Sequence, residues 1–304
     1  MSDSVSARAS ARTARVLAHA KINLILRVLA REESGFHALE TVFARVALGD
    51  DVTVRATASG RSIECTGAET GPPERNLAYR AALAFAESTG WPTGFAIDIE
   101  KRIPVGGGLG GGSADAGAVL RALAALSPRA VSEEQLLRIA ATLGSDVPFL
   151  TTTAPLALAW GHGERMLALP ALPERDVALV APGFPVSTAE AYSWLAAERS
   201  TIAHHSAAPP QLLSLADLAT WESIAPLAAN DFEPVVSRRH PEIPRITAAL
   251  RSAGASIALL SGSGSTTFGL FASTPPAPSL PSSLPGDLLL TRTLATVPPI
   301  ELLD

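Results

Sequence analysis

Residues Pro104 to Gly117 read PVGGGLGGGSADAG, and six of the first nine are glycine. Glycine packs no side chain and costs conformational entropy on folding, so so dense a run needs a reason. Close approach of the backbone to an anion is one. Small residues let several N–H groups point inward, and a helix that starts at the loop's end adds its positive dipole. Two other residues stand out by type and setting. Lys21 lies in the apolar run AHAKINLILRV, although lysine is almost never fully buried without a partner. Asp146 sits in LGSDVPFL, between a helix end and a proline. Each has a plain reading beside the chemical one: a lysine that snorkels to solvent, and an aspartate that bonds its own backbone at a turn.

The glycine run excludes some chemistry directly. A Walker A loop needs a lysine after its last glycine, and none follows here. Gly106, Gly108 and Gly111 satisfy the dinucleotide pattern G-x-G-x-x-G, but glycine-rich sequence meets it by chance. That fingerprint also sits tightly between strand and helix, whereas KRIPV intervenes here. A flexible linker would carry polar filler rather than Leu109. A broad phosphate cradle remains the best account. At its end Ser113 caps a helix or meets a phosphate oxygen or metal ion, and Asp115 in the first turn complements the dipole.

The elements around the loop are legible from periodicity. DVTVRAT (51–57) and FAIDI (95–99) alternate as strands do, the second leading towards the loop. Asn76 starts and Gly90 stops a helix over LAYRAALAFAES, and Ser113 to Leu126 reads as a helix with Val119, Leu120 and Leu123 on one face. Ser132 and Gln135 form a capping box before LLRIAATL, and Gly144 closes that helix. Beyond it come strand-like LALAW and VALVAP, helix-rich sequence over 188–252, and strands at 257–260 and TTFGLF. The loop SGSGS joins these last two, and DLLLTRTL is a candidate final strand. The mixture implies an α+β chain in two domains, 16–160 and 161–304, after a disordered tail over 1–15.

Composition bounds the rest. The 304 residues are 47% hydrophobic and 17% charged, with net charge -5, which argues against coating a nucleic-acid backbone. Cys65 is the only cysteine, so disulfides within the chain and cysteine-built zinc sites are excluded. The uncharged runs 147–163 and 252–286 are interrupted by Pro, Ser, Gly or Thr and do not read as membrane spans. A cytoplasmic protein with no membrane or nucleic-acid partner is expected. His204 and His205 lie in Pro/Ala-rich sequence without ligand spacing.

PVGGGLGGGSADA resembles the phosphate-binding motif of the GHMP kinases, the family of galactokinase and of homoserine, mevalonate and phosphomevalonate kinases. AHAKINLIL, SGFHALETVF, LGSDVPFL and LLSGSGSTTFGLF are similar to further family stretches in the same order, so the resemblance runs from about residue 16 to 295. It implies an α+β, two-domain GHMP kinase fold with the active site in the interdomain cleft. AKINL, GFH and GSDVPFL are most similar to the branch that transfers the ATP γ-phosphoryl group to the 2-hydroxyl of a cytidyl-linked methylerythritol, in the non-mevalonate isoprenoid pathway. Two readings compete: a kinase for another small alcohol such as homoserine or mevalonate, and an inactive nucleotide-binding homologue. Retention of Lys21 and Asp146 speaks against the second.

Carried onto this chain, the resemblance implies a catalytic pair, with Asp146 as general base and Lys21 holding its carboxylate ionised. It assigns ATP to Pro104, Val105, Gly106, Gly107, Gly108, Leu109, Gly110, Gly111, Gly112, Ser113 and Ala114, with Lys101 and Asn76 lining the nucleotide pocket. Asn23 shares the strand face of Lys21 and touches the acceptor. Phe36 and His37 belong to the cytosine pocket, one stacking and one reading the base edge; many relatives carry Tyr where Phe36 stands, so a hydroxyl is absent here. Tyr192 is expected across the base and Thr188 as a polar contact, while Ser261 to Ser265 brings a second backbone close to the substrate. Mg²⁺ is expected with ATP, with Ser113 as the one candidate ligand.

Overall fold

The computed structural model describes residues 12–31, 37–69, 71–202, 213–272 and 286–304. Two long strands make its frame: β1 (Thr13–Arg31) and β2 (His37–Thr57), paired antiparallel with register shifts near Ala20, Leu24 and Leu29. From Ala18 to Leu26 both faces of β1 are buried. That double burial encloses Lys21 and Asn23, which lie on the face opposite Ile22 and Leu24. The strand begins at Thr13, so Thr13–Arg15, expected in a loose tail, are held between β2 and a C-terminal strand. Residues 1–11 lie outside the described residues.

β3 (Arg61–Thr66) and β4 (Gly94–Glu100) are parallel neighbours, and β4 pairs with β2. Phe95, Ile97 and Ile99 are buried while Asp98 and Glu100 are exposed, the alternation of a strand with one covered face. β5 (Leu156–Gly161) and β6 (Arg165–Ala168) extend from β2, β8 (Ala229–Asn230) runs beside β1, and β12 (Glu301–Leu303) pairs with its start. The resulting sheet has order β12-β1-β2-β4-β3 with those branches. Its pairing carries past residue 160 to Ala168 and recovers the chain's last strand. A second, antiparallel sheet has order β11-β7-β10-β9, from β7 (Asp176–Ala181), β9 (Ile257–Leu260), β10 (Thr267–Phe271) and β11 (Asp287–Arg292).

Helices α1 (Leu77–Thr89), α2 (Gly111–Leu126), α3 (Glu133–Ala141) and α4 (Val147–Thr151) precede β5. α5 (Thr188–Ile202), α6 (Trp221–Ile224), α7 (Glu233–Ser237) and α8 (Glu242–Ser252) follow β7. Asn76 caps α1 by accepting from Ala78 N, and Gly90 ends it in a left-handed conformation, as its sequence signals. Ser132 caps α3 from Gln135 N, but the Gln135 side chain bonds Ser88 instead of closing a box, and the helix stops at Ala141, before Gly144.

α2 departs from a one-faced helix. From Ala114 to Leu123 every residue is buried, because small side chains let neighbours close in all round. A Cβ on Gly117 would lie 2.6 Å from the Leu150 carbonyl group, so α2 packs directly on the backbone of α4. No helix among the described residues is long and apolar enough to cross a membrane.

Candidate active site

The glycine run turns from β4 into α2 through three left-handed residues, Gly106, Gly108 and Gly110. Gly110, not Ser113, is the N-cap of α2, and no side chain caps it. Ser113 stands at the third helical position, free of capping duty. The outward carbonyls of the loop are bound to the scaffold. Leu109 O accepts from Lys21 N at 3.0 Å, Gly107 O from Thr266 N at 3.1 Å, and Gly108 O from the Ser261 hydroxyl at 3.1 Å. By helix geometry the first-turn N–H groups of Gly111, Gly112 and Ser113 have no partner within the helix. They border a cleft of about 610 Å³. A helix N-terminus open to a cleft is an anion site by charge and by hydrogen bonding.

Lys21 and Asp146 meet in this cleft. The Lys21 ammonium is 3.3 Å from Asp146 Oδ2, with Lys21 only 3% exposed, so it is a paired buried lysine and not a snorkelling one. Asp146 is the N-cap of α4, yet its side chain makes no capping bond. The plain reading of that aspartate therefore fails, since its carboxylate faces Lys21 in place of its own backbone. Asn23 fixes the lysine: Asn23 Oδ1 accepts from Lys21 Nζ at 2.7 Å and from Gly262 N at 3.0 Å, while its amide donates to Thr41 Oγ1 at 2.8 Å. The second small-residue loop thus closes over the first. Thr188, at the start of α5, meets the Ser263 hydroxyl at 3.0 Å. Tyr192 packs edge-on against Phe232, and burial, with the negative Asp146 nearby, raises its pKa.

Lys101 and Asp115 are not the solvated strand end and dipole partner that local sequence suggests. Lys101 is buried and ion-paired to both Asp115 (2.7 Å) and Asp50. Burial lowers its pKa, but the two carboxylates outweigh that and raise it. Asp50 also accepts from the backbone N of Arg102 and Ile103 at 2.6 and 2.8 Å, which fixes the chain entering the glycine loop. Burial, opposed by Lys101 and helped by Asp50, pushes the Asp115 pKa up to about 7. Asp50 had no local signal, since its partners lie 51 and 52 residues or more away.

Most of the expected site residues converge on the cleft: Lys21, Asn23, Asn76, Lys101, Asp146, Thr188, Tyr192 and the run from Pro104 to Ser113 all line it. Ala114 does not; it is buried in α2, and its N–H bonds Gly110 O at 2.8 Å. Phe36 lies outside the described residues, as do His204 and His205, and of His37 only the backbone at the start of β2 is described.

Residues 76–153 match the N-terminal domain model of the GHMP kinases, and residues 212–285 match the C-terminal one. The 4-diphosphocytidyl-2-C-methyl-D-erythritol kinase of Syntrophus aciditrophicus is 39% identical over 258 residues, 84% of this chain and 89% of the relative. The kinase of the same name from Moorella thermoacetica is 38% identical over 283 residues, 91% of this chain and 98% of the relative. This chain belongs to the 4-diphosphocytidyl-2-C-methyl-D-erythritol kinase family of the GHMP kinases. It is a small-molecule phosphotransferase. A crystal structure of 4-(cytidine 5'-diphospho)-2C-methyl-D-erythritol kinase superposes with a TM-score of 0.74 at 37% identity, covering 92% of this chain and 98% of the other. Homoserine kinase from Cytophaga hutchinsonii follows the same fold, with a TM-score of 0.68 at 19% identity and coverage of 97% and 98%.

Proposed function

We propose that this chain transfers the γ-phosphoryl group of ATP to the 2-hydroxyl of 4-diphosphocytidyl-2-C-methyl-D-erythritol. The observation that carries the reading is the Lys21–Asp146 pair, 3.3 Å apart, at the mouth of an open helix N-terminus. The first-turn N–H groups of α2 hold phosphate oxygens with the dipole behind them. Asp146 accepts the proton of the attacking hydroxyl as the new P–O bond forms. Lys21 keeps that carboxylate in place until then, and Asn23 keeps Lys21 in place. Thr188 and Tyr192 form the wall against which the acceptor lies.

The half-buried Ser113 lines the cleft at the third position of α2, and its hydroxyl fits as one oxygen ligand for Mg²⁺. The carboxylates of Asp50 and Asp115 are taken up by Lys101. When bound with the nucleotide, the ion spreads the charge of the phosphates.

A coupled ADP-release assay, with and without the cytidyl substrate, tests the proposal. ADP release should depend on that acceptor, and Asp146→Ala should lower kcat by about 10²–10⁴-fold, the usual contribution of a general base, while ATP still binds. Normal turnover by Asp146→Ala overturns the base assignment. Turnover of homoserine or mevalonate with none of the cytidyl compound overturns the acceptor.

A further inference from the structure

Arg45 lies on β2 directly across from Lys21 in the β1–β2 register, and it is 1% exposed. A buried arginine normally answers to a carboxylate. Here its side-chain hydrogen bonds go to backbone carbonyls, all from the segment that leaves Asp146. Nε donates to Ala154 O at 2.9 Å, and Nη2 donates to Phe149 O at 2.6 Å and Thr152 O at 2.8 Å. The backbone N of Arg45 adds a fourth bond, to Pro155 O at 2.9 Å. Its guanidinium carbon also lies 4.7 Å from the centre of the Phe149 ring, which stacks on Phe43 at 4.9 Å. Phe43 in turn lies 5.6 Å from the Lys21 ammonium.

These contacts converge on α4, a five-residue helix that begins immediately after Asp146, and on the turn that follows it. So short a helix does not hold itself; Phe149 O accepts from Thr152 N at 3.1 Å and Thr152 Oγ1 at 2.8 Å, and Arg45 adds its own bond there and reaches Thr152 O and Ala154 O just past the helix end. A cation at a helix C-terminus satisfies those carbonyls and opposes the dipole. Asp146 is tied to the same turn through its carbonyl, which accepts from Leu150 N at 3.2 Å. An aliphatic side chain would fill the space under α4 without the desolvation of a buried cation. Burial, with a smaller contribution from Arg121, lowers the Arg45 pKa to about 9.

We propose that Arg45 is a positioning residue for phosphoryl transfer: it clamps α4 at Phe149 and the turn that follows at Thr152 and Ala154, and thereby sets Asp146 against Lys21. It touches neither substrate. The inference rests on the proposed role of Asp146 as base, and its test has one readout that does not depend on turnover.

Arg45→Met, Arg45→Lys and Phe149→Leu are compared with the unaltered enzyme at a temperature where circular dichroism shows each folded. A misplacement of about 1 Å costs on the order of 10²-fold in rate. Arg45→Met should therefore lose about 10–100-fold in kcat, with KM for ATP and for the cytidyl substrate within about threefold. Arg45→Lys, which keeps a donor, should recover part of the loss, and Phe149→Leu should lose less than Arg45→Met. In a ligand-free crystal structure of Arg45→Met, the Lys21–Asp146 separation should exceed the present 3.3 Å by about 1 Å. An unchanged kcat per folded molecule, or an unmoved Asp146, overturns the inference and leaves Arg45 a role in folding alone. If Arg45→Met does not fold, Arg45→Lys is held to the same criteria. If the unaltered enzyme ignores the cytidyl substrate, the proposed function fails, and the crystal structure alone decides for or against the clamp.

Discussion

Two glycines of one loop should respond in opposite ways to the same substitution. Gly108 has φ +77°, and a Cβ there would stand 2.1 Å from the Ser261 carbonyl oxygen and 3.1 Å from both N and O of Gly264. Those are backbone atoms of a loop docked from the far side of the cleft, so no side chain can swing away. Gly108→Ala meets about 1–2 kcal/mol for the left-handed conformation, and about 1–3 kcal/mol for overpacking. The sum, about 2–5 kcal/mol, is a large part of a total stability of about 5–15 kcal/mol. Gly112 lies inside the first turn of α2 without a positive φ, and the nearest atom to its Cβ would be Leu77 Cδ1 at 3.8 Å. Gly112→Ala should stabilise the ligand-free protein by about 0.5–1 kcal/mol, the helical advantage of alanine over glycine. Its methyl group would nevertheless occupy the approach to the bare backbone proposed to hold the phosphates, so ATP affinity should fall. Urea melts of the ligand-free variants and calorimetric titration with ATP separate the two effects. Unaltered ATP binding by Gly112→Ala would refute the phosphate cradle at this turn. A wild-type melt for Gly108→Ala would refute the close docking of the two loops.

Acid should weaken the fold through His19. It is 2% exposed, and burial first, then the positive Arg45, with Arg121 adding, hold its pKa down to about 4 against 6.5, while the backbone at Ala47 and Val46 opposes the shift. The folded state accommodates the neutral ring, so stability is full above about pH 6.5 and declines as pH falls through about 4, by up to about 3 kcal/mol. Urea melts of His19→Leu across that range should show a shallower acid limb; an acid limb equal to that of the unaltered protein contradicts the assignment. Lys101→Met strands Asp50 and Asp115 without their cation and should lose about 3–5 kcal/mol, whereas Asp115→Asn, which leaves the Lys101–Asp50 pair, should lose less. A loss below about 1 kcal/mol for Lys101→Met would remove the buried triad from the account of the loop.

Where the site was legible, the signal was local. Asn76, Gly90 and Ser132 act at their helix ends as their types suggest, and alternation marks the buried face of β4. The glycine run marks the proposed anion site because several tight approaches need absent side chains. The failures arise where a partner comes from far along the chain. Asp115 in a first helical turn reads as a dipole partner until β4 delivers Lys101 beneath it and β2 delivers Asp50. Ser113 reads as a cap until Gly110, in a left-handed conformation, takes the helix start from it. α4 gives no periodicity to read in five residues, and a proline lies within it.

The proposed catalytic pair, Lys21 and Asp146, shows why residue type alone misleads. An aspartate at the N-cap of a proline-containing turn normally serves its own helix, and only the family resemblance of LGSDVPFL speaks against that reading. Its side chain makes no capping bond, and the other end of α4 is held from elsewhere: Arg45 binds the carbonyls of Phe149, Thr152 and Ala154, and α2 presses on Leu150 through Gly117. With α4 fixed from below, the Asp146 carboxylate is free to face Lys21. Lys21 is fixed in its turn by Asn23, which the second loop bonds through Gly262. Both members of the pair thus owe their position to bonds that span the chain, residue 45 to 154 on one side and 23 to 262 on the other. On the proposed function, a nucleotide bound on α2 therefore meets a base whose position depends on β2 beneath it, and a lysine whose position depends on the loop that closes from the opposite side.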